Sequence, residues 1–159
     1  MLPRPAAMFD RAREWTTLTS FATDEAPGAS LGVVSGRRRQ GKTFLLRALC
    51  QATGGFYHAA EEATDGESLH RIGAALAGHL GAPAPLAFRD WSEVVDALLA
   101  LGRDRVVPVV IDEFPYLARA NPRLPSIIQN ALAPCGPNAT GAAHDCCCAA
   151  RPCRSWDGC

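Results

Sequence analysis

Two patterns of apolar residues alternate along this chain. Short, largely apolar runs, which are typical of buried strands, occupy 31–35, 55–60 and 106–111. Apolar residues spaced three to four positions apart predict helices over 42–52, over 65–80, from 90 onward and over 126–133. A turn that contains prolines, at 121–125, precedes the last of these helices. A chain in which strands and helices alternate is typical of an α/β domain with a parallel sheet.

Each of the first three predicted helices carries its apolar residues on one face. These faces contain, in chain order, Phe44, Leu45, Ala48 and Leu49; Leu69, Ile72, Leu76 and Leu80; and Trp91, Val94, Val95, Leu98 and Leu99. Asp90 precedes the third helix and Glu93 follows three residues later, which is the pattern of a capping box. In the last apolar run Pro108 cannot donate a ladder hydrogen bond, so the paired part of that strand is expected to begin there.

The composition favours one globular domain. Its 159 residues allow a single core and no second full domain. Lys plus Arg and Asp plus Glu number 16 each, so the overall charge does not indicate nucleic-acid binding. No apolar run approaches a membrane span, and 1–8, an N-terminal extension with two prolines, lacks the apolar segment of a secretory signal. We expect a cytoplasmic protein.

The segment between the first strand and the first helix carries the strongest chemical motif. It reads Gly36, Arg37, Arg38, Arg39, Gln40, Gly41, Lys42 and Thr43, followed by Phe44, and it fits the phosphate-binding pattern G-x-x-x-x-G-K-[ST]. The two glycines let backbone N–H groups curl around a polyphosphate at a helix N-terminus. Lys42 would reach the β- and γ-phosphates, and the Thr43 hydroxyl would ligate Mg²⁺. We therefore expect 36–44 to bind a nucleotide.

Two adjacent acids end the last apolar run. Asp112 would hold Mg²⁺ through its water shell, and Glu113 is placed to orient or deprotonate an attacking water. For such a pair in isolation, the solvated end of a strand would be the simpler interpretation. The phosphate loop about seventy residues earlier favours an ATPase instead.

These motifs resemble those of the AAA+-type ATPases often called archaeal ATPases, which also occur in bacteria. The resemblance rests on G-R-R-R-Q-G-K-T at 36–43, on I-D-E-F-P-Y-L at 111–117, and on 9–18, which is similar to the family's N-terminal helix near the adenine. It covers 9–133 and implies a P-loop NTPase fold, with a parallel sheet flanked by helices, that binds ATP with Mg²⁺ and acts as a conformational switch. A protein partner or a homo-oligomer would fit such a switch.

Several polar residues have other interpretations. Arg37, Arg38 and Arg39 would be solvent-facing loop positions, which we favour, or a small basic patch that meets a partner or nucleic acid. The histidines at 58, 70 and 79 share no metal-ligand spacing with one another or with Cys50, so we interpret them as surface or boundary residues.

The segment 134–159 differs from the rest of the chain, since it holds six of the seven cysteines. A zinc site would need paired C-x-x-C spacings, which this segment lacks, and a disulfide knot would need an oxidising compartment. The third interpretation is a shift of reading frame. Read from the third base of the His144 codon, the codons of Cys146, Cys147 and Cys148 force three leucines, and the shifted frame permits R-L-L-L-C-G-S.

That string is similar to the family's next element, an apolar strand that ends in a Gly-Ser sensor of the γ-phosphate. We therefore expect 134–159 to be out of frame and unstructured, and the family's sensor strand, arginine finger and lid to be missing. Reading the gene between the codons of Ala133 and His144 tests this hypothesis. One missing base or two extra bases would support it, whereas an early stop in the alternative frame would revive the zinc interpretation.

Three functions follow from these motifs. The leading one is an ATP-binding P-loop ATPase domain of AAA+ type whose hydrolysis is impaired by the missing elements. A nucleotide-dependent signalling or interaction switch with little turnover is the second, and a non-functional gene remnant is the third. Turnover separates the first two, and a cooperative melt of soluble protein separates both from the third.

Overall fold

The computed structural model describes residues 2–6, 8, 10–24, 29–35 and 40–133, and the backbone of 154–156. Its helices are α1 (Ala12–Ala22), α2 (Lys42–Thr53), α3 (Asp65–Leu80), α4 (Trp91–Ala100), α5 (Phe114–Ala120) and α6 (Leu124–Ala131). Its strands are β1 (Gly32–Val34), β2 (Phe56–Ala59), β3 (Val109–Asp112) and β4 (Arg154–Trp156). The mixed α/β class predicted from the alternating pattern is confirmed. Among the helices of this part of the chain, none is long and apolar enough to cross a membrane.

Strands β2 and β3 form a parallel pair at the centre of the domain. Phe56 lies opposite Val109, and Ala59 lies opposite Asp112. The backbone N–H of Phe56 donates to the carbonyl of Pro108 at 2.9 Å, so pairing begins at this proline through the acceptor that it retains. The prediction that the paired part of the strand starts at Pro108 is confirmed.

Helices cover both faces of the β2–β3 pair. Phe56 and Ile111 point to the face that packs against α3, α4, α5 and α6, where Ile72, Leu76 and Val94 are almost fully buried. Tyr57 and Val110 point to the opposite face, which packs against α1 and α2. Successive side chains of a strand alternate between faces, so the two strands contribute to two separate cores. Strand β3 is nevertheless less buried than its nearly continuous apolar sequence predicts, since Val109 is 38% exposed and the rest of the strand is half-buried.

Strand β1 differs from its prediction as a buried strand. Val33 is 49% exposed and Val34 is 39% exposed. In the described part of the chain, β1 pairs in parallel with β4, and this pair is not hydrogen-bonded to β2–β3. The side chains of β1 are therefore not sealed between two helical layers.

The sequence predicted no regular structure for 134–159, yet Arg154–Trp156 forms β4. The partner strand supplies donors and acceptors for the backbone groups of β1, which would otherwise form an unpaired sheet edge. The remainder of that segment, 134–153 and 157–159, lies outside the described residues.

One helix was not predicted by the sequence pattern, and another begins earlier than predicted. The pattern predicted no helix at 114–120, yet α5 occupies it, and α6 begins at Leu124 instead of at residue 126. Pro115 and Pro125 lie in the first turns of these helices. The first turn tolerates proline because its N–H groups have no intrahelical partner. Pro125, which the sequence analysis placed in a turn, therefore lies at the start of a helix.

The capping interactions also differ from the prediction. Asp90 caps α4, since its carboxylate accepts from the backbone N–H groups of Ser92 and Glu93, but the Glu93 carboxylate accepts from the N–H of Arg89 instead of Asp90. The full reciprocal capping box is at α3, between Thr64 and Glu67. The sequence Thr64-Asp65-Gly66-Glu67 fits the box pattern, so this cap was readable from the sequence.

The predicted apolar faces are largely buried, with two exceptions at helix ends. Leu80, the last residue of α3, is 55% exposed, and Phe44, in the first turn of α2, is 44% exposed. Leu98 and Leu99 are half-buried, whereas Trp91, Val94 and Val95 are buried as predicted.

Two glycines of α3 provide a matched test of this packing. A Cβ added at Gly73 would lie 2.1 Å from the carbonyl oxygen of Leu86, whereas one added at Gly78 meets no atom within 4 Å. We expect Gly73→Ala to lower the free energy of unfolding by about 1–3 kcal/mol, because helix and loop must separate. Gly78→Ala should raise it by about 0.5–1 kcal/mol through helix propensity. Urea denaturation measures both, and equal stability of the two variants would contradict this packing.

Candidate functional site

The phosphate-loop motif lies only partly within the described chain. Gly36, Arg37, Arg38 and Arg39 are outside the described residues, whereas Gln40 and Gly41 lead directly into α2. Gly41 has φ of +75° at the N-cap of the helix, a left-handed conformation that favours glycine. The motif's second glycine therefore has a backbone role that a residue with a Cβ would fill only with strain.

Lys42 and Thr43 are the first two residues of α2. Their position follows from the turn at Gly41, which ends the loop and starts the helix. The backbone N–H groups of a first helical turn are not used within the helix, and they carry a partial positive charge. An anion placed before Lys42 would therefore meet both these donors and the lysine ammonium.

The structure brings Thr43 against Asp112, although 69 positions separate them in the sequence. The Thr43 hydroxyl (Oγ1) donates to Oδ2 of Asp112 at 2.8 Å. Asp112 ends β3, and the parallel strands direct its carboxylate toward the start of α2. The sequence assigned these two residues to one Mg²⁺ ion, and their side chains are in direct contact.

Tyr57 is a third member of this site, and the sequence analysis did not single it out. Its hydroxyl donates to the same Oδ2 of Asp112 at 2.9 Å. Tyr57 lies opposite Val110 in the β2–β3 register, and Val110 and Asp112 share a face because they are two residues apart. Strand register would have identified Tyr57, but the sequence does not reveal which strands are neighbours.

The Tyr57 ring is held from its other side by α2. The Arg47 guanidinium lies 5.0 Å from the ring centroid, a cation–π distance. Burial raises the pKa of the Tyr57 phenol above its usual value; the Arg47 contact opposes this shift and the hydrogen bond to Asp112 adds to it. The phenol therefore stays protonated at neutral pH and acts as a hydrogen-bond donor.

Glu113 follows Asp112 in a left-handed backbone conformation, with φ of +55°. Its N–H donates to Oδ1 of Asp112 at 3.0 Å, and its side chain is exposed next to the N-terminus of α5. A non-glycine residue in this region carries backbone strain of about 1–3 kcal/mol. The strain occurs at the residue that the sequence indicates as the base.

The donor atoms at this site fit Mg²⁺ better than zinc. Oδ1 of Asp112 accepts one hydrogen bond and can accept more. The Thr43 hydroxyl donates a hydrogen bond, and the lone pairs of its oxygen remain available. Mg²⁺ is commonly held by one or two carboxylates, with the remaining ligands from substrate phosphates and water. No group of three or more His, Cys, Asp or Glu side chains that could hold a metal occurs among the described residues. The oxygen atoms of Thr43 and Asp112 suit a hard divalent cation such as Mg²⁺.

The histidines and Cys50 lie apart from this site. His70 and His79 are exposed, whereas His58 is buried and burial lowers its pKa. His58 alternates with Tyr57 on β2, so it faces away from Asp112. The Cys50 thiol lies 3.4 Å from the carbonyl oxygen of Phe56, and burial raises its pKa to about 11, which makes it a poor metal ligand at neutral pH.

No protein-family model matches this chain, and neither a curated protein nor a solved structure does so. The resemblance to AAA+-type ATPases therefore rests on the sequence motifs alone.

Proposed function

We propose that this chain is an ATP-binding domain with a P-loop NTPase fold of AAA+ type, in which 36–44 hold the triphosphate and Thr43 and Asp112 hold its Mg²⁺. The observation that supports this proposal most strongly is the 2.8 Å hydrogen bond between the Thr43 hydroxyl and Asp112. Two motifs that the sequence assigns to one metal ion meet in space, which a chance match to the loop pattern would not require.

The phosphate contacts would come from the loop backbone and from Lys42. Gly36 and Gly41 give the loop the freedom to direct N–H groups inward, and the first turn of α2 adds its own N–H groups. Lys42 is the only lysine in the sequence. Its ammonium would form a charge-assisted contact with the β- and γ-phosphates, while Gln40 and Phe44 flank the phosphate site.

The metal contacts would come from Thr43 and Asp112. The Thr43 oxygen would offer a lone pair to the ion while its O–H group still donates a hydrogen bond to Asp112. Asp112 would accept from the metal's water shell or ligate the ion through Oδ1. Bound Mg²⁺ would neutralise charge on the phosphates during hydrolysis.

Glu113 is the proposed general base. Its exposed carboxylate follows the metal-binding aspartate directly, and the hydrogen bond from its own N–H to Asp112 fixes the position of its backbone. A base in this position would orient a water molecule and accept its proton as the water attacks the γ-phosphate. The strained backbone of Glu113 supports a role that is not structural.

Replacement of Lys42 tests the phosphate site. Lys42→Ala removes the main charged contact to the phosphates, so binding of a fluorescent ATP analogue should weaken at least tenfold, about 1.4 kcal/mol. Arg103→Ala is the matched control, because it also removes one positive charge but lies in the loop before β3, at the opposite end of the strand from Asp112.

Unchanged binding by a folded Lys42→Ala variant, or equal losses in both variants, would contradict the proposed phosphate site.

The single lysine allows a second measurement, chemical labelling of its amine. An ATP derivative with a reactive acyl-phosphate should acylate Lys42 and, apart from the N-terminal amine, no other amine. Excess ATP should suppress labelling of Lys42 and leave the N-terminal amine unaffected.

Replacement of Glu113 separates binding from hydrolysis. Glu113→Gln keeps the shape of the side chain but removes the base, so ATP affinity should stay within about twofold. Because hydrolysis by this chain is expected to be impaired, the fall in hydrolysis, roughly 10²-fold or more, is measured in a protein whose reading frame after Ala133 is restored. Single-turnover assays with protein in excess over ATP measure slow rates directly. Glu62→Gln, at an exposed position outside the site, is the control.

A Glu113→Gln variant that hydrolyses ATP at the wild-type rate would remove Glu113 from the mechanism. Tight ATP binding by the frame-restored protein without hydrolysis above background would favour a nucleotide-dependent switch over an ATPase.

A further inference from the structure

We propose that Tyr57 is a positioning residue that holds the carboxylate of Asp112 in the orientation in which Oδ1 faces the metal ion, an inference that rests on the proposed function of the site. The Tyr57 hydroxyl and the Thr43 hydroxyl both donate to Oδ2 of Asp112, at 2.9 and 2.8 Å. Among the described residues, Oδ1 accepts only from the backbone N–H of Glu113, at 3.0 Å.

The two carboxylate oxygens are therefore unequal. Oδ2 accepts from two side-chain hydroxyls, which use most of its lone-pair capacity, while Oδ1 retains more capacity. Rotation of the carboxylate about its Cβ–Cγ bond would turn its plane out of this orientation, and the hydrogen bonds from the three donors oppose that rotation. Tyr57 supplies the one donor that is itself neither a proposed metal ligand nor part of the backbone.

Tyr57 is held in place from α2. Arg47, whose guanidinium lies 5.0 Å from the Tyr57 ring centroid, is four residues after Thr43 on the same helix. Residues four apart share a helix face, so Thr43 and Arg47 both face the β2–β3 pair. Helix α2 thus contacts the carboxylate directly through Thr43 and indirectly through Arg47 and Tyr57. This closed set of contacts links the phosphate-loop helix to the strand that carries Asp112.

Loss of the Tyr57 hydroxyl should weaken Mg²⁺ binding and leave phosphate binding unchanged. Loss of the Tyr57 hydroxyl would free the carboxylate to rotate but would leave the loop and Lys42 unchanged. Nucleotide affinity without Mg²⁺ should therefore stay the same, while the Mg²⁺ concentration required for tight binding should rise. A general loss of stability would weaken both kinds of binding together.

The test is Tyr57→Phe, which removes the hydroxyl and keeps the ring that contacts Arg47. Mg²⁺ is titrated into protein with a fluorescent ATP analogue, and the same analogue is titrated in EDTA. We expect the half-maximal Mg²⁺ concentration to rise about tenfold, which is the lower end of the range for loss of a residue that orients a metal ligand. The affinity for the ATP analogue in EDTA should stay within about twofold of the wild-type value. Tyr116→Phe is the matched control, because Tyr116 is the other tyrosine and its ring also contacts an arginine, Arg119, at 5.1 Å.

A wild-type Mg²⁺ response in Tyr57→Phe would overturn the role of Tyr57 and leave the proposed nucleotide site intact. Absence of nucleotide binding by the folded wild type would overturn the proposed function, and the role of Tyr57 with it.

A double-mutant cycle measured by urea denaturation tests the hydrogen bond between Tyr57 and Asp112 without nucleotide. Tyr57→Phe should lower the denaturation midpoint when Asp112 is present but not in a chain that carries Asp112→Ala, and equal shifts in both backgrounds would overturn the inference.

Discussion

The carboxylate of Asp112 is the point on which the arrangement of the site depends. It accepts hydrogen bonds from the Thr43 hydroxyl on α2, the Tyr57 hydroxyl on β2 and the backbone N–H of Glu113 at the start of α5. Three elements therefore meet at two oxygen atoms, and Thr43 and Tyr57 lie 69 and 55 positions from Asp112 in the sequence. Any ion or phosphate bound at the start of α2 would be positioned relative to this carboxylate.

The parallel pairing of β2 with β3 makes this meeting possible. In a parallel pair both carboxyl ends lie at the same edge, so Asp112 and the residue opposite it, Ala59, end their strands together. Alternation places Tyr57, Val110 and Asp112 on the face covered by α2, while Phe56 and Ile111 face the helices of the second core. The polar site is thus built on one face of a strand pair whose other face is hydrophobic core.

The sequence predicted what depends on local pattern and spacing. Helices α2 and α3, the start of pairing at Pro108 and the residues Thr43 and Asp112 all follow from periodicity or a motif. Features that depend on neighbouring elements were missed. Tyr57 could not be assigned without strand order, and the exposure of Val33 depends on the separation of β1 from the β2–β3 pair. Helix α5 was missed because its proline, normally a breaker, lies in the first turn.

The central claim is that Thr43 and Asp112 act together on one metal ion, and the Mg²⁺ dependence of ATP binding tests it most directly. Thr43→Val and Asp112→Asn should each abolish the tightening of ATP binding by Mg²⁺, leave affinity in EDTA unchanged, and add no further loss when combined. Thr43→Ser, which keeps the hydroxyl, should retain the tightening. Full Mg²⁺ tightening in folded Thr43→Val and Asp112→Asn variants would contradict the account.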